Sequence, residues 1–453
     1  MVRITQNIEA AYEVESTYGD PPGSNLYHTG LLDTFDPRQV EMNITPVPSL
    51  GQSTDAFHAS GPIAVTVPIK VACQGTGWKQ LLGQAIGQTT IDSYLHGHKL
   101  TTDVKSLAVL VKETGVGYTL ATGVVPNEVT LTADYSTGGY MTCEANCTAF
   151  YTQDSAADNA NFSDDNGFLV DDYSSVTWPE SPSADPLLPT DLSVTVGTIA
   201  STKGLSVDGP FGSYVEVGEK YLAGYASTGS LDTQLDGDGI LDLTAGASDT
   251  ITKVNSLVDG DANWGSSILG SGDAELSQNI LKGIYRTADS TVDDADSTNT
   301  GNASLYVATD ADGTGMTTTF SNLKTIALKI ANNNTPIAGK HTRGDGSPDV
   351  TKWLQNESIG RGKADVTLDV TMTAEDETWY DIYVAGTTIP LIRLDFGSDG
   401  SIALTNGTIT SFSRPLTPGG EIVDTMSIKF RGAGDFKNFS AFAISSNLTL
   451  TPS

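Results

Sequence analysis

Two stretches of this chain, far apart in sequence, carry the same pattern. Val65 to Trp78 reads VTVPIKVACQGTGW, and Val366 to Trp379 reads VTLDVTMTAEDETW. They align without a gap: Val65 meets Val366, Val67 meets Leu368, Ile69 meets Val370, Val71 meets Met372, and Trp78 meets Trp379. Apolar residues alternate along both, the period of a half-buried strand. Each Trp then leads a short helical stretch, WKQLL from Trp78 and WYDIY from Trp379, with a glycine placed as a helix stop at Gly87 and Gly386. A fold built this way must use one supersecondary unit twice.

The similarity continues downstream. Leu107 to Gly123 (LAVLVKETGVGYTLATG) matches Leu391 to Gly407 (LIRLDFGSDGSIALTNG), again without a gap, with Gly123 falling on Gly407. Both read as a hairpin. Two further strand-like runs follow, split by Gly138-Gly139 in one copy and Gly419-Gly420 in the other, and closing on Tyr140 to Phe150 and Glu421 to Phe430. Upstream, Gln39 to Val47 precedes the first copy and Leu323 to Ile330 the second. Long polar loops are expected after each, Pro48 to Gly61 and Ala331 to Gly362. The bland reading is that β-rich sequences with regular turns look alike.

Between the copies, Tyr151 to Pro189 is rich in Asp, Ser and Pro and reads as a linker. Short strands are expected within Leu192 to Val217, and Asp232 to Gly315 is dominated by Asp, Gly, Ser and Thr. The expected organisation is a first module with an N-terminal arm over 1–150, an inserted, surface-exposed β-rich domain with its linker over 151–315, and a second module over 316–453. The fold class is mainly β. Composition agrees: 40 of the 55 acidic residues are Asp, a poor helix former, beside 47 Gly and 19 Pro.

The formal charge is −31. That excludes a protein that wraps DNA or RNA, which must neutralise a row of phosphates. An Asp-rich acidic surface suits salty water, where screening removes self-repulsion, so a halophilic source is the expectation. Lys outnumbers Arg 16 to 8, which weakens it. No apolar run reaches membrane-spanning length, and Met1 to Asp20 lacks the apolar stretch of a secretory signal. Cys73, Cys143 and Cys147 cannot form a disulfide framework; buried free thiols are expected, with Cys143 and Cys147 on one face of a strand.

Catalytic constellations are scarce: there is no G-x-S-x-G, P-loop, H-E-x-x-H or C-x-x-C. His96 and His98 alternate near Asp92 and Asp103, but no third His or Cys ligand stands close, so they read as loop residues. Calcium is the better metal candidate. Asp236, Asp238 and Asp242 in DGDGILD, and Asp310 and Asp312 in TDADG, offer hard oxygens in glycine-rich turns. The terminal bidentate Glu of a full loop is missing, and clusters arise by composition in so Asp-rich a chain. No other cofactor is suggested.

The opening, EVESTYGDPPGSNLYHTGLLDTFDPRQVEMNITPV (Glu13 to Val47), resembles the N-terminal arm of the tail tube proteins of tailed, siphovirus-like viruses. So does the repeated unit of strand, Trp-led short helix and paired hairpins, most clearly from Gly362 to Leu448. The resemblance covers roughly Met1 to Phe150 and Thr317 to Ser453. It implies two tandem tail-tube-type β-sandwich or barrel modules, each with a short flanking helix, plus the inserted β-rich domain. It implies a structural virion protein and no enzyme, made in the host cytoplasm. Its subunits would self-assemble into stacked rings, a conduit through which viral DNA passes during genome ejection. Two fused modules favour trimeric pseudo-hexameric rings over hexameric ones, in contact with other tail proteins. Specific nucleic-acid binding is not implied.

Under that reading Trp78 and Trp379 are equivalent anchors, and Val65, Val67, Ile69, Val366, Leu368 and Val370 form the structural core. The intervening Thr66, Lys70, Thr367 and Asp369 face the lumen or a neighbour, and the two long loops make ring-to-ring contacts. The alternatives are a cell-surface or adhesion protein of stacked β-domains, and a glycan-active β-sandwich with paired carboxylates.

Overall fold

The computed structural model describes residues 8–15, 26–35, 39–48, 55–86, 106–113, 117–155, 178–179, 182, 184–197, 199–210, 212–218, 221–235, 237–243, 245–259, 264–270, 277, 280, 283–287, 300–308, 318–320, 322–338, 356–360, 365–399, 401–416, 419–430 and 442–444. The fold is mainly β. It opens with β1 (Ile8–Val14), β2 (Tyr27–His28), β3 (Leu32–Phe35), β4 (Gln39–Pro48) and the long β5 (Asp55–Ala72). Helix α1 (Gly77–Ile86) follows, then β6 (Leu107–Glu113), β7 (Gly117–Asp134), β8 (Thr142–Ala149) and β9 (Tyr151–Ser155). All pairings are antiparallel: β1 with β2 and β6, β5 with β3, β4 and β8, and β7 with β6, β8 and β9.

Next come β10 (Ser193–Gly197), β11 (Ile199–Pro210), β12 (Tyr214–Val217), β13 (Tyr221–Tyr225), β14 (Ile240–Asp242), α2 (Ile251–Val258), β15 (Gly265–Leu269), β16 (Gly283–Arg286) and β17 (Thr300–Ala308). Strands β11 to β17 form two small sheets, ordered β15-β11-β17 and β14-β13-β12-β16. The chain finishes with β18 (Thr318–Thr319), β19 (Leu323–Ala331), β20 (Thr335–Ala338), β21 (Asn356–Gly360), β22 (Asp365–Thr373), α3 (Thr378–Ala385), β23 (Ile389–Asp395), β24 (Ser401–Ser413), β25 (Val423–Phe430) and β26 (Phe442–Ile444).

The first order of pairings occurs again. Strand β10 pairs with β18 and β23, as β1 does with β2 and β6. Strand β22 pairs with β19 and β25, as β5 does with β3, β4 and β8, and β24 pairs with β23, β25 and β26. Irregularities recur at matching places. An extra residue bulges at Asp33 opposite β5 and at Lys324 opposite β22, and another at Asn127 on β7 and at Thr410 on β24. Bulges re-aim a strand, so their recurrence ties the two halves residue by residue. Even the hairpin tips agree: Thr45, Pro46 and Val47 face Ala59, His58 and Phe57, while Thr335, Pro336 and Ile337 face Gly360, Ile359 and Ser358.

These registers shift one sequence match by a single residue. Val109 faces Ala121 and Tyr12, and Ile392 faces Leu404 and Val196, so Val109 corresponds to Ile392 and Gly123 to Asn406. Both of the latter take left-handed backbone, at φ 62° and 54°. The gap-free match of Leu107 with Leu391 therefore sets opposite faces against each other. Its cause is that β6 is buried on both faces, Leu107 to Val111 all being buried, so its hydrophobicity does not alternate. Upstream, the counterpart of Leu323 is Leu32 rather than a residue of Gln39 to Val47. The segments expected as long loops are partly strand: β5 begins at Asp55, and 331–362 contains β20 and β21.

One hydrophobic core runs through both copies. Val65, Val67, Ile69, Val71, Trp78 and Val109 share it with Val366, Leu368, Val370, Met372, Trp379 and Ile392. A second core joins Leu205, Val217, Leu241, Val254, Trp264 and Leu305, and reaches Leu391 on the outer face of β23. The strands β11 to β17 thus rest on β23 from the side opposite the main core.

Candidate assembly surface

The feature that most distinguishes this molecule is how its two copies meet. Strand β7 of the first half lies antiparallel beside β19 of the second, over seven consecutive pairs from Glu128↔Ala331 to Asp134↔Thr325. The seam is closed at both ends, by Tyr135 N–H donating to Lys324 O at 2.8 Å and Asn332 N–H to Asn127 O at 2.7 Å. Its inward side chains, Val129, Leu131, Ala133, Ile326, Leu328 and Ile330, are all buried in the shared core. Each Val, Leu or Ile side chain buried there contributes about 1.5–3 kcal/mol. On the outward side Lys329 pairs with Glu128 at 2.7 Å, both partly exposed, and such a pair adds at most about 1 kcal/mol. Packing and strand hydrogen bonds hold the joint, with charge a minor part.

A second contact reinforces it. The second half lays Phe396 edge-on against Trp78 of α1, ring centroids 5.6 Å apart, and Asp399 accepts from Lys79 Nζ at 2.7 Å. The Lys79 side chain is almost fully buried and passes over the Trp78 ring. Gly77 is required where α1 starts, since a Cβ there would stand 1.9 Å from Thr29 O.

Helix α3 differs. Trp379 is buried and stacks on Phe320 at 4.5 Å, and Gly386 ends the helix at φ 64°. But Tyr380, Tyr383 and Val384 are exposed, with Leu416 nearby in sequence to β24 exposed at 73%. Tyr380 and Tyr383 flank Phe412 at 5.6 and 6.0 Å. Periodicity did not announce this strip, because a Trp-led amphipathic helix is expected to bury its aromatics. Beneath it Arg414 binds Asp424 through two nitrogens at 2.6 and 2.9 Å and reaches Glu377 at 2.7 Å. The Asp424 carboxylate holds the guanidinium pKa above its usual range.

The sequence candidates fall as follows. Val65, Val67, Ile69, Val366, Leu368 and Val370 are buried, as are Trp78 and Trp379. Thr66 and Asp369 are exposed, and Lys70 and Thr367 half-buried. Of the calcium candidates, Asp238 caps its own turn by accepting from Ile240 N–H at 3.0 Å, and Asp242 lies on β14. Asp236, Asp310 and Asp312 lie outside the described residues, as do His96 and His98. Among the described residues no group of three or more His, Cys, Asp or Glu side chains could hold a metal. Cys143 and Cys147 both lie on β8, and with Cys73 they are buried free thiols. Burial pushes the Cys143 thiol up to about 12 and raises the other two. No described helix is long and apolar enough to cross a membrane.

No known protein-family profile matches the chain, and no curated protein does. Among solved structures, a chain of a native gene transfer agent virion is similar over 28% of this chain and 87% of its own, at 12% identity and a TM-score of 0.20. A chain from the tail of an empty gene transfer agent particle is similar over 28% and 88%, at 18% identity and a TM-score of 0.19. At such scores neither likeness bears on function.

Proposed function

We propose that this chain is a structural virion protein, a subunit that self-assembles into the stacked rings of a viral tail tube and has no catalytic role. The observation that carries this reading is the β7–β19 joint. It is a head-to-tail contact between two copies of one unit, and heterologous contacts of this kind generate rings or filaments. The sequence resemblance supplies the tube: the Glu13 to Val47 arm and the Trp-led unit both resemble tail tube proteins.

In this reading the first module comprises β1 to β9, and the second comprises β10 together with β18 to β26. The strands β11 to β17 interrupt the second module between β10 and β18, the place where the first has residues 15–26. The interpolated strands pack on the outer face of β23 through Leu391, which keeps their bulk off the seam. With two modules in each chain, three chains complete a pseudo-hexameric ring. The acidic surface lets DNA pass without adhering. It also makes ring packing depend on salt, since the screening length falls to about 3 Å at 1 M.

Electron microscopy of the purified chain tests this. Rings or tubes with threefold rotational symmetry are expected at molar salt, dissociating on dilution into low salt without divalent cations. A chain that stays monomeric at high concentration and high salt overturns the reading.

A further inference from the structure

Among the described residues, the two strands that make the internal joint have counterparts whose matching edges are unpaired. Strand β7 pairs with β6, β8, β9 and β19. Its counterpart β24 pairs with β23, β25 and β26, and the edge matching the one β19 covers has no partner among the described residues. Conversely β19 is paired on both sides, by β22 and β7, while its counterparts β3 and β4 pair only with β5 among the described residues. Exposure follows. Glu128, Thr130 and Thr325 are half-buried in the joint, whereas the matching Ser411, Ser413 and Thr34 are exposed. Strand β7 runs on to Asp134, but β24 stops at Ser413, short of the matching point. At the position of buried Ala133 stands Leu416, 73% exposed.

We infer that the partner for both half-joints is a second copy of this chain. The β24 edge of one copy adds antiparallel to the β3–β4 edge of the next, in the register of the internal joint. Carried over pair by pair, that register sets Ser411 opposite Glu41, Phe412 opposite Val40, Ser413 opposite Gln39 and Leu416 opposite Phe35. Helix α3 then offers Tyr380, Tyr383 and Val384 to the neighbour, as α1 receives Phe396 and Asp399 from the second half within the chain. Three features favour a copy of this chain over another occupant. The edges are already shaped as two halves of a contact the molecule makes internally. An uncovered strand edge needs covering. And charge along the two edge sequences is mixed rather than uniformly acidic, with Arg414 between Ser413 and Leu416 on one and Asp36, Arg38 and Glu41 on the other, so two chains of −31 are not opposed there by a row of like charges. The inference deepens the tube-subunit reading and rests on it for the expectation that the chain self-assembles.

The test uses the full chain carrying both Ser413→Cys and Gln39→Cys, treated with a bismaleimide whose span is under about 10 Å. The three native thiols are buried. A covalent ladder of multimers is expected on a denaturing gel. A control pairing Ser413→Cys with Thr34→Cys, four residues out of register and so about 13 Å along the strand, is expected to give none. Separately, the surface changes Val384→Asp and Leu416→Asp are expected to leave unfolding unchanged and raise the concentration needed for assembly at least tenfold. If wild type assembles but the matched pair does not link, or if both surface variants assemble normally, this interface is overturned while the tube reading stands. If wild type does not assemble at all, both fall.

Discussion

Replacing Leu328 by alanine asks which force holds the two copies together. Leu328 lies on β19 between Leu131 of β7 and Leu368 of β22, and all three are buried. Its truncation removes apolar contact on both sides and leaves a cavity that neither flanking strand can fill without breaking its own ladder. Such changes cost about 2–5 kcal/mol. At about 3 kcal/mol, and roughly 1.4 kcal/mol per factor of ten, local opening becomes about 150-fold more frequent. Lys329 is the next residue along. Its side chain is 41% exposed and its ion pair with Glu128 spans 2.7 Å, so Lys329→Ala costs at most about 1 kcal/mol, roughly fivefold in opening. Hydrogen exchange read by mass spectrometry separates the two. In Leu328→Ala, peptides covering β7, β19 and β22 lose protection together, because the core is shared; in Lys329→Ala they barely change. If the two variants behave alike, or if β22 opens while β7 keeps full protection, the argument that packing unites the copies is wrong.

Three further outcomes are expected. The thiols of Cys73, Cys143 and Cys147 are buried with raised pKa values, so a thiol reagent at pH 8 labels none in the native chain and all three in denaturant; rapid native labelling would contradict their placement. Arg414→Met leaves the buried Asp424 carboxylate without its guanidinium and costs about 3 kcal/mol, whereas adding Asp424→Leu recovers most of it in urea unfolding; an equally unstable double variant refutes the pairing argument. His28 Nδ1 accepts Gly30 N–H at 3.0 Å, and burial holds its pKa below the ordinary value, partly countered by Glu9. Because the folded pKa is depressed, His28 contributes stability above the unfolded pKa of about 6.5, and that contribution is lost as pH falls. Wild type should lose more stability between pH 7.5 and 5 than His28→Asn; parallel losses would show that His28 is not responsible.

How far the sequence reaches varies with the element. Strand β22 is legible because its burial alternates strictly, Val366, Leu368, Val370 and Met372 inward and their neighbours outward. The helix starts are legible from Trp78 and Trp379, and the stop at Gly386 from the glycine itself, whose backbone is left-handed there; Gly87, expected to stop the first helix, lies outside the described residues. Strand β6 was legible as a strand but not in register, since burial on both faces erases the parity that would have separated Leu107 from its neighbours. Helix α2 went unread inside an Asp- and Ser-rich stretch, where three buried residues, Ile251, Val254 and Val258, carry its inward face.

The sequence by itself determined the local grammar: two runs of alternating strand, Trp-led helix and glycine turns, in a strongly acidic chain. Those are properties of neighbouring residues, and periodicity, propensity and charge record them. Tertiary structure alone decided that Ser193–Gly197 joins β23 rather than the strands that follow it. It likewise decided that β7 meets β19, so that one copy finds its partner inside the chain while the matching edge of β24 in the second is unpaired among the described residues. Strand edges are made of backbone, and every residue but proline offers the same N–H and C=O to a partner. Which edge is covered is therefore settled by geometry between distant segments, where no local pattern in the side chains records it.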